Sequence, residues 1–102
     1  GLNDRLYKYH KEHGITGKIV TNYQYLLFLP GLEQFYYYRP GRLNIAFLDY
    51  LETEEGKDIH YMLEPTVQKR EKEVYKRFWN NVKSKTFKVI FRWKGYHFVK
   101  VK

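Results

Sequence analysis

The side chains able to carry bond-making chemistry are four histidines, eleven carboxylates and one serine, so their spacing decides what chemistry is open. His10 and His13 stand three apart on a predicted helix, with Glu12 between them. A catalytic zinc needs a third protein ligand, and His60 and His97 have no motif spacing to supply it. Glu52, Glu54, Glu55 and Asp58 lack the alternating Asp-x-Asp-x-Asp-Gly order that turns oxygens onto calcium, so they read as a solvated loop. Asp49 with Glu55-Gly56-Lys57 has the residue types of an Asp…Glu-x-Lys nuclease centre, but the six-residue separation is too short to span two adjacent core strands. His-hydrophobic-His, phosphate-loop and dinucleotide-loop patterns are missing. Ser84, between Lys83 and Lys85, reads as a helix-end residue, not a nucleophile. Without cysteine, disulfides and thiolate chemistry are excluded. A small RNase using His, Lys, Arg or Tyr needs no fixed spacing and stays open as a minor alternative. The sequence therefore reads as a non-enzymatic binding protein, with no metal or cofactor expected.

Charge carries the strongest binding signal. Residues 66–102 hold twelve Lys and Arg against Glu71 and Glu73, whereas residues 35–65 hold three Lys and Arg against six Asp and Glu. Lys69, Lys72, Lys76 and Lys83 form a stripe that Lys88, Arg92 and Lys94 extend, a pattern suited to a phosphate backbone. A solvated helix face also carries charge, and heat-adapted proteins often place lysine there. Tyr36, Tyr37 and Tyr38 alternate sides of a predicted strand, so at least one ring should lie outside the core and offer contact area to a protein or peptide.

These residues need elements to hold them. At 102 residues the chain suits one domain with one modest core. A first helix is expected over about 4–13, capped by Asn3, with Leu2 stapled on Tyr7 and Gly14 as the stop. Residues 18–29 read as extended and end at Pro30-Gly31. Phe35–Tyr38 and Leu43–Tyr50 are expected to pair as a hairpin about Arg39-Pro40-Gly41-Arg42. Ile59–Leu63 reads as a strand, and a second helix is expected after Glu64-Pro65, with Thr66 as its cap, to about Ser84. Its Val67, Val74, Tyr75, Phe78, Trp79 and Val82 share an apolar arc. The chain closes with a hairpin, 87–93 and 96–101, about Lys94-Gly95. The longest apolar run, Tyr25–Leu29, is too short to span a bilayer, and no signal-peptide pattern opens the chain. A soluble intracellular protein without a membrane partner is expected.

A gapless alignment at an offset of 70 lays Thr16–Leu29 over Thr86–Val99, with Leu6-Tyr7-Lys8 matching Val74-Tyr75-Lys76 just upstream. The expected fold is therefore α+β, two helices on antiparallel hairpins. It would be arranged as two αββ repeats (3–29 and 66–101, bridged by 30–65) about a pseudo-twofold axis. In segments such as Gln34-Phe35-Tyr36-Tyr37-Tyr38 and Glu71-Lys72-Glu73-Val74-Tyr75-Lys76, the chain resembles the orphan proteins of filamentous viruses that infect hyperthermophilic archaea. That resemblance implies a heat-stable compact fold, working in a host cytoplasm, and carries over no functional residue. Two partners remain open: a protein or peptide held in a groove or at a sheet edge between the two αββ units, ranked first, and DNA or RNA on the basic helix and hairpin.

Overall fold

The computed structural model describes residues 1–25 and 30–102. Its elements are α1 (Leu2–His13), β1 (Lys18–Thr21), β2 (Tyr36–Tyr38), α2 (Ile45–Tyr50), β3 (Ile59–Pro65), α3 (Lys72–Lys83), β4 (Lys88–Trp93) and β5 (Tyr96–Lys100), with a short 3-10 turn at Glu33–Phe35. The strands form one mixed sheet in the order β2-β1-β3-β5-β4. β1 runs parallel to both β2 and β3, whereas β5 pairs antiparallel with β3 and β4. The α+β class is as expected.

Strand alternation divides the apolar residues between two faces. Ile19, Tyr61, Leu63 and Phe98 point to the face where Leu2 and Leu6 anchor α1. Val20, Met62 and Val99 point to the other, beneath Phe47 and Leu48 of α2 and Phe78 of α3.

The two αββ repeats are not formed. Segment 18–21 lies between two parallel neighbours, whereas 88–93 begins an antiparallel hairpin. The extended reading also stops at Thr21, where the Tyr23 N–H donates to the Thr21 hydroxyl and turns the chain. Phe28 and Leu29, and with them the end of the expected strand, lie outside the described residues.

The central hairpin is replaced as well. Leu43, Phe47, Leu48 and Leu51 are all buried, and their spacing of four, one and three is helical. Asn44 caps this helix by accepting the Phe47 N–H at 2.8 Å. β2 turns instead to β1, with Ile19 opposite Tyr36. Gly41 does adopt positive φ (89°), but in the link from β2 to α2.

α1 starts at Leu2, with Gly1 and not Asn3 at its cap position. Leu2 is buried beside Leu6 in the core, while Tyr7 is exposed, so the expected staple is not made. α3 begins five residues later than expected, with Glu71 and not Thr66 at its cap position. Pro65 still pairs with Tyr96 in the sheet, the Thr66 N–H donates to Gly95 O, and the Gln68 N–H donates to the Glu71 carboxylate. That hydrogen bond, helped by Arg42, holds the Glu71 carboxyl below the usual carboxylate range. The last hairpin forms as predicted. Lys94 and Gly95 both take positive φ (45° and 77°), the signature of a type I′ turn.

Candidate nucleic-acid interface

The acidic middle of the chain neutralises little of the basic third. Of the 19 Lys and Arg, three reach a carboxylate within 4.0 Å: Arg42 meets Glu71, Lys57 meets Glu54, and Arg77 meets both Asp49 and Glu52. From the basic third, Arg77 makes the ion pairs to the 49–58 segment among the described residues, and the Lys102 ammonium donates to the Gly56 carbonyl. Lys69, Lys72, Lys76, Lys83, Lys85, Lys88, Arg92 and Lys94 form no ion pair among the described residues, and all are exposed.

Three of them, Lys85, Lys88 and Arg92, meet at one edge of the sheet. β4 is the outer strand, and a cleft lies on each side of it. The cleft towards α3 holds about 430 Å³ and is lined by Trp79, Val82, Phe87, Lys85, Lys88 and Arg92, without a carboxylate. The cleft towards α1 holds about 550 Å³ and presents Arg5, Lys8, Lys88 and Lys100 around Tyr9 and Phe91, with Glu12 as its one acid. Lys88 belongs to both. A shift of register between Val89 and Phe91 bends β4 and sends Ile90 and Phe91 to the α1 side together, so that Arg92 returns to the α3 side. There its guanidinium lies 5.9 Å from the centre of the Trp79 ring.

Of the seven basic residues predicted for binding, Lys88 and Arg92 line the α3-side cleft, Lys72, Lys76 and Lys83 lie on α3, and Lys69 lies in the turn before it. Lys94 sits on the tip of the last hairpin, its ammonium 5.3 Å from the Trp93 ring centre. The three tyrosines do not join them. β2 is the opposite edge, four strand steps or roughly 19 Å away. Tyr36 is buried at 7% exposure in the α1-side core, so it is a core residue and not a contact. Desolvation pushes its hydroxyl pKa well up. Tyr37 and Tyr38, at 53% and 41%, are open to solvent. Arg5, Lys8, Lys85, Lys100 and Trp79 were not singled out from sequence. Trp79 carried a usable signal: at 100° per residue it lies within about 60° of Lys72, Lys76 and Lys83, on the border of the apolar arc.

The histidines take structural roles in α1 and the core. His10 Nδ1 accepts the Ile15 N–H at 3.0 Å and closes the end of α1. His97 is fully buried on β5, stacked 4.7 Å from Phe78, and sits directly opposite Glu64 of β3, itself fully buried. Among the described residues, neither the Glu64 oxygens nor the His97 nitrogens have a hydrogen-bond partner. Burial pushes the Glu64 carboxyl up to about 8, against the pull of Arg39, and pushes His97 down to about 4, with Arg92 adding to the shift. Both are therefore neutral at pH 7. Arg39, over the Phe47 ring at 4.5 Å, and Arg92, over Trp79, flank this pair on the face covered by α2 and α3. The pair is sealed under Phe78, so its effect falls on stability and not on a ligand.

Among the described residues no helix is long and apolar enough to cross a membrane. Comparisons with protein-family models, with curated proteins and with solved structures find no match.

Proposed function

We propose that the protein is a non-enzymatic, intracellular nucleic-acid-binding protein whose contact surface is the outer face of α3 together with the β4 edge. The observation that carries this reading is the set of cations there that form no ion pair among the described residues: Lys85, Lys88 and Arg92 line a cleft without a carboxylate, and Lys76 and Lys83 stand three and four residues along α3 from its Trp79 wall. A polyanion gains from such a surface by releasing its condensed counterions. The acidic 49–58 segment does not oppose it, because Arg77 and Lys57 already neutralise three of its carboxylates.

Two features lower the rank of strand addition by a peptide, the reading that sequence placed first. The groove between two αββ units has no basis without the repeat. Both sheet edges are also blunted. β2 is three residues long and runs into Arg39-Pro40, while β4 is bulged, carries Lys88 and Arg92, and has its Arg92 carbonyl occupied by the Arg5 guanidinium. Exposed Tyr37 and Tyr38 favour a second, separate role for the β2 edge in protein contact.

The test is direct titration of DNA and RNA oligonucleotides into wild-type protein and into a Lys85→Gln/Lys88→Gln/Arg92→Gln variant. The expected result is nucleic-acid binding that the triple variant weakens for every sequence alike. Equal binding by both proteins, or none by the wild type, removes the reading.

A further inference from the structure

We infer that the cleft between α3 and β4 takes single-stranded nucleic acid in preference to duplex, stacking a base on Trp79 while Lys83, Lys85, Lys88 and Arg92 hold the flanking phosphates. This rests on the nucleic-acid reading above and names the form of the partner.

Three observations carry it. The first is size: a cleft of about 430 Å³ admits a nucleotide or two, whereas a duplex can only lie across its mouth. The second is the wall. Trp79 is the aromatic on α3 at the junction between buried arc and lysine stripe, half-buried and lining the cleft, with Lys76 and Lys83 about one turn to either side. The third is the opposite wall. Lys88, Val89 and Arg92 of β4 form it, and the Arg92 guanidinium already lies over the Trp79 ring, where a base can slide between them or replace it. An aromatic face between rows of cations recognises unstacked bases without regard to sequence, because every base has a π-face. In a duplex the bases are stacked on one another and only phosphates are offered.

The experiment uses Trp79 as its own reporter. Trp93→Phe leaves Trp79 as the one tryptophan, and its emission is followed during titration with oligo-dT, oligo-rU, a mixed duplex and poly-glutamate. Single strands are expected to quench Trp79 strongly and the duplex weakly. Trp79→Leu should weaken single-strand binding roughly 5- to 150-fold, and Trp79→Phe should restore most of it. Duplex affinity and the salt slope should stay unchanged in both, since no charge is altered. Circular dichroism of the Leu variant checks its fold, and the Phe variant keeps the test decisive if Leu unfolds. Equal loss for duplex and single strand, or no loss with Trp79→Leu, overturns the inference while nucleic-acid binding stands. Failure of every oligonucleotide to bind, or equally tight binding of poly-glutamate, overturns the nucleic-acid reading itself.

Discussion

Glu64→Gln should remove the alkaline decline of stability. The Glu64 carboxyl is raised from 4.5 to about 8 in the folded protein, so its contribution is complete below pH 4.5 and is lost as pH rises towards 8. His97 is lowered from 6.5 to about 4, so its contribution is complete above pH 6.5 and is lost as pH falls towards 4. Between pH 4.5 and 6.5 the two slopes oppose one another and stability should be nearly flat. Moving a proton from Glu64 to His97 within the pair leaves the total bound unchanged, so the balance does not depend on which partner holds it. Above pH 6.5 only the Glu64 slope remains. Over the 1.5 pH units to pH 8 it amounts to ~2 kcal/mol at 1.36 kcal/mol per unit. In a domain of this size that corresponds to a fall in melting temperature on the order of 10 °C. The assay is urea unfolding at pH 5.5, 6.5, 7.5 and 8.5, with the slope m held common. Wild type should be level between the first two points and decline through the last two, whereas Glu64→Gln should rise by about 1 kcal/mol between the first two, where the His97 slope is no longer opposed, and stay level from pH 6.5 upward. A wild-type profile without the alkaline decline, or the same decline in Glu64→Gln, refutes the reasoning.

His97→Leu should remove the opposite arm, leaving urea midpoints below pH 5 higher than wild type by the equivalent of about 1–3 kcal/mol. Gly41→Val should cost about 1–3 kcal/mol in chemical denaturation. Its φ of 89° strains a β-branched residue, even though the added Cβ meets nothing within 4 Å. Gly56→Ala should be worse, because its Cβ would lie 2.2 Å from the Tyr50 carbonyl oxygen; loss of cooperative thermal unfolding is expected. Lys94→Asn should raise the melting temperature, since asparagine accepts the left-handed first position of a type I′ turn (φ 45°) more readily than lysine.

The ends of this chain were more legible than its middle. α1 and the last hairpin announce themselves by local punctuation, a glycine stop in one and the Lys94-Gly95 pair between two apolar runs in the other. Segment 43–51 was misread because a six-residue helix offers fewer than two turns of period, and its Ile, Phe, Leu and Tyr suit a strand equally well. Parallel pairing of β1 with β2 and β3 is set by contacts distant in sequence, which no local pattern encodes. The lysine stripe was readable from helical spacing. Its convergence with Lys88 and Arg92 was not, because the bulge in β4 decides which side each residue takes. Glu64 and His97 share the alternation of buried Met62 and Val99, but the expected strand stopped at Leu63, so sequence did not place Glu64 opposite His97 in the core.

The most direct measurement of the nucleic-acid claim is the affinity for a single-stranded oligonucleotide as a function of salt. Three cations lining the α3–β4 cleft, Lys85, Lys88 and Arg92, with Lys76 and Lys83 beside its Trp79 wall on α3, predict a slope of log K against log salt near −3.5, at about 0.7 per phosphate neutralised on a single strand. Lys85→Gln/Lys88→Gln/Arg92→Gln should bring that slope to about −1.4. A slope near zero in the wild type, or one that the triple variant leaves unchanged, contradicts the account.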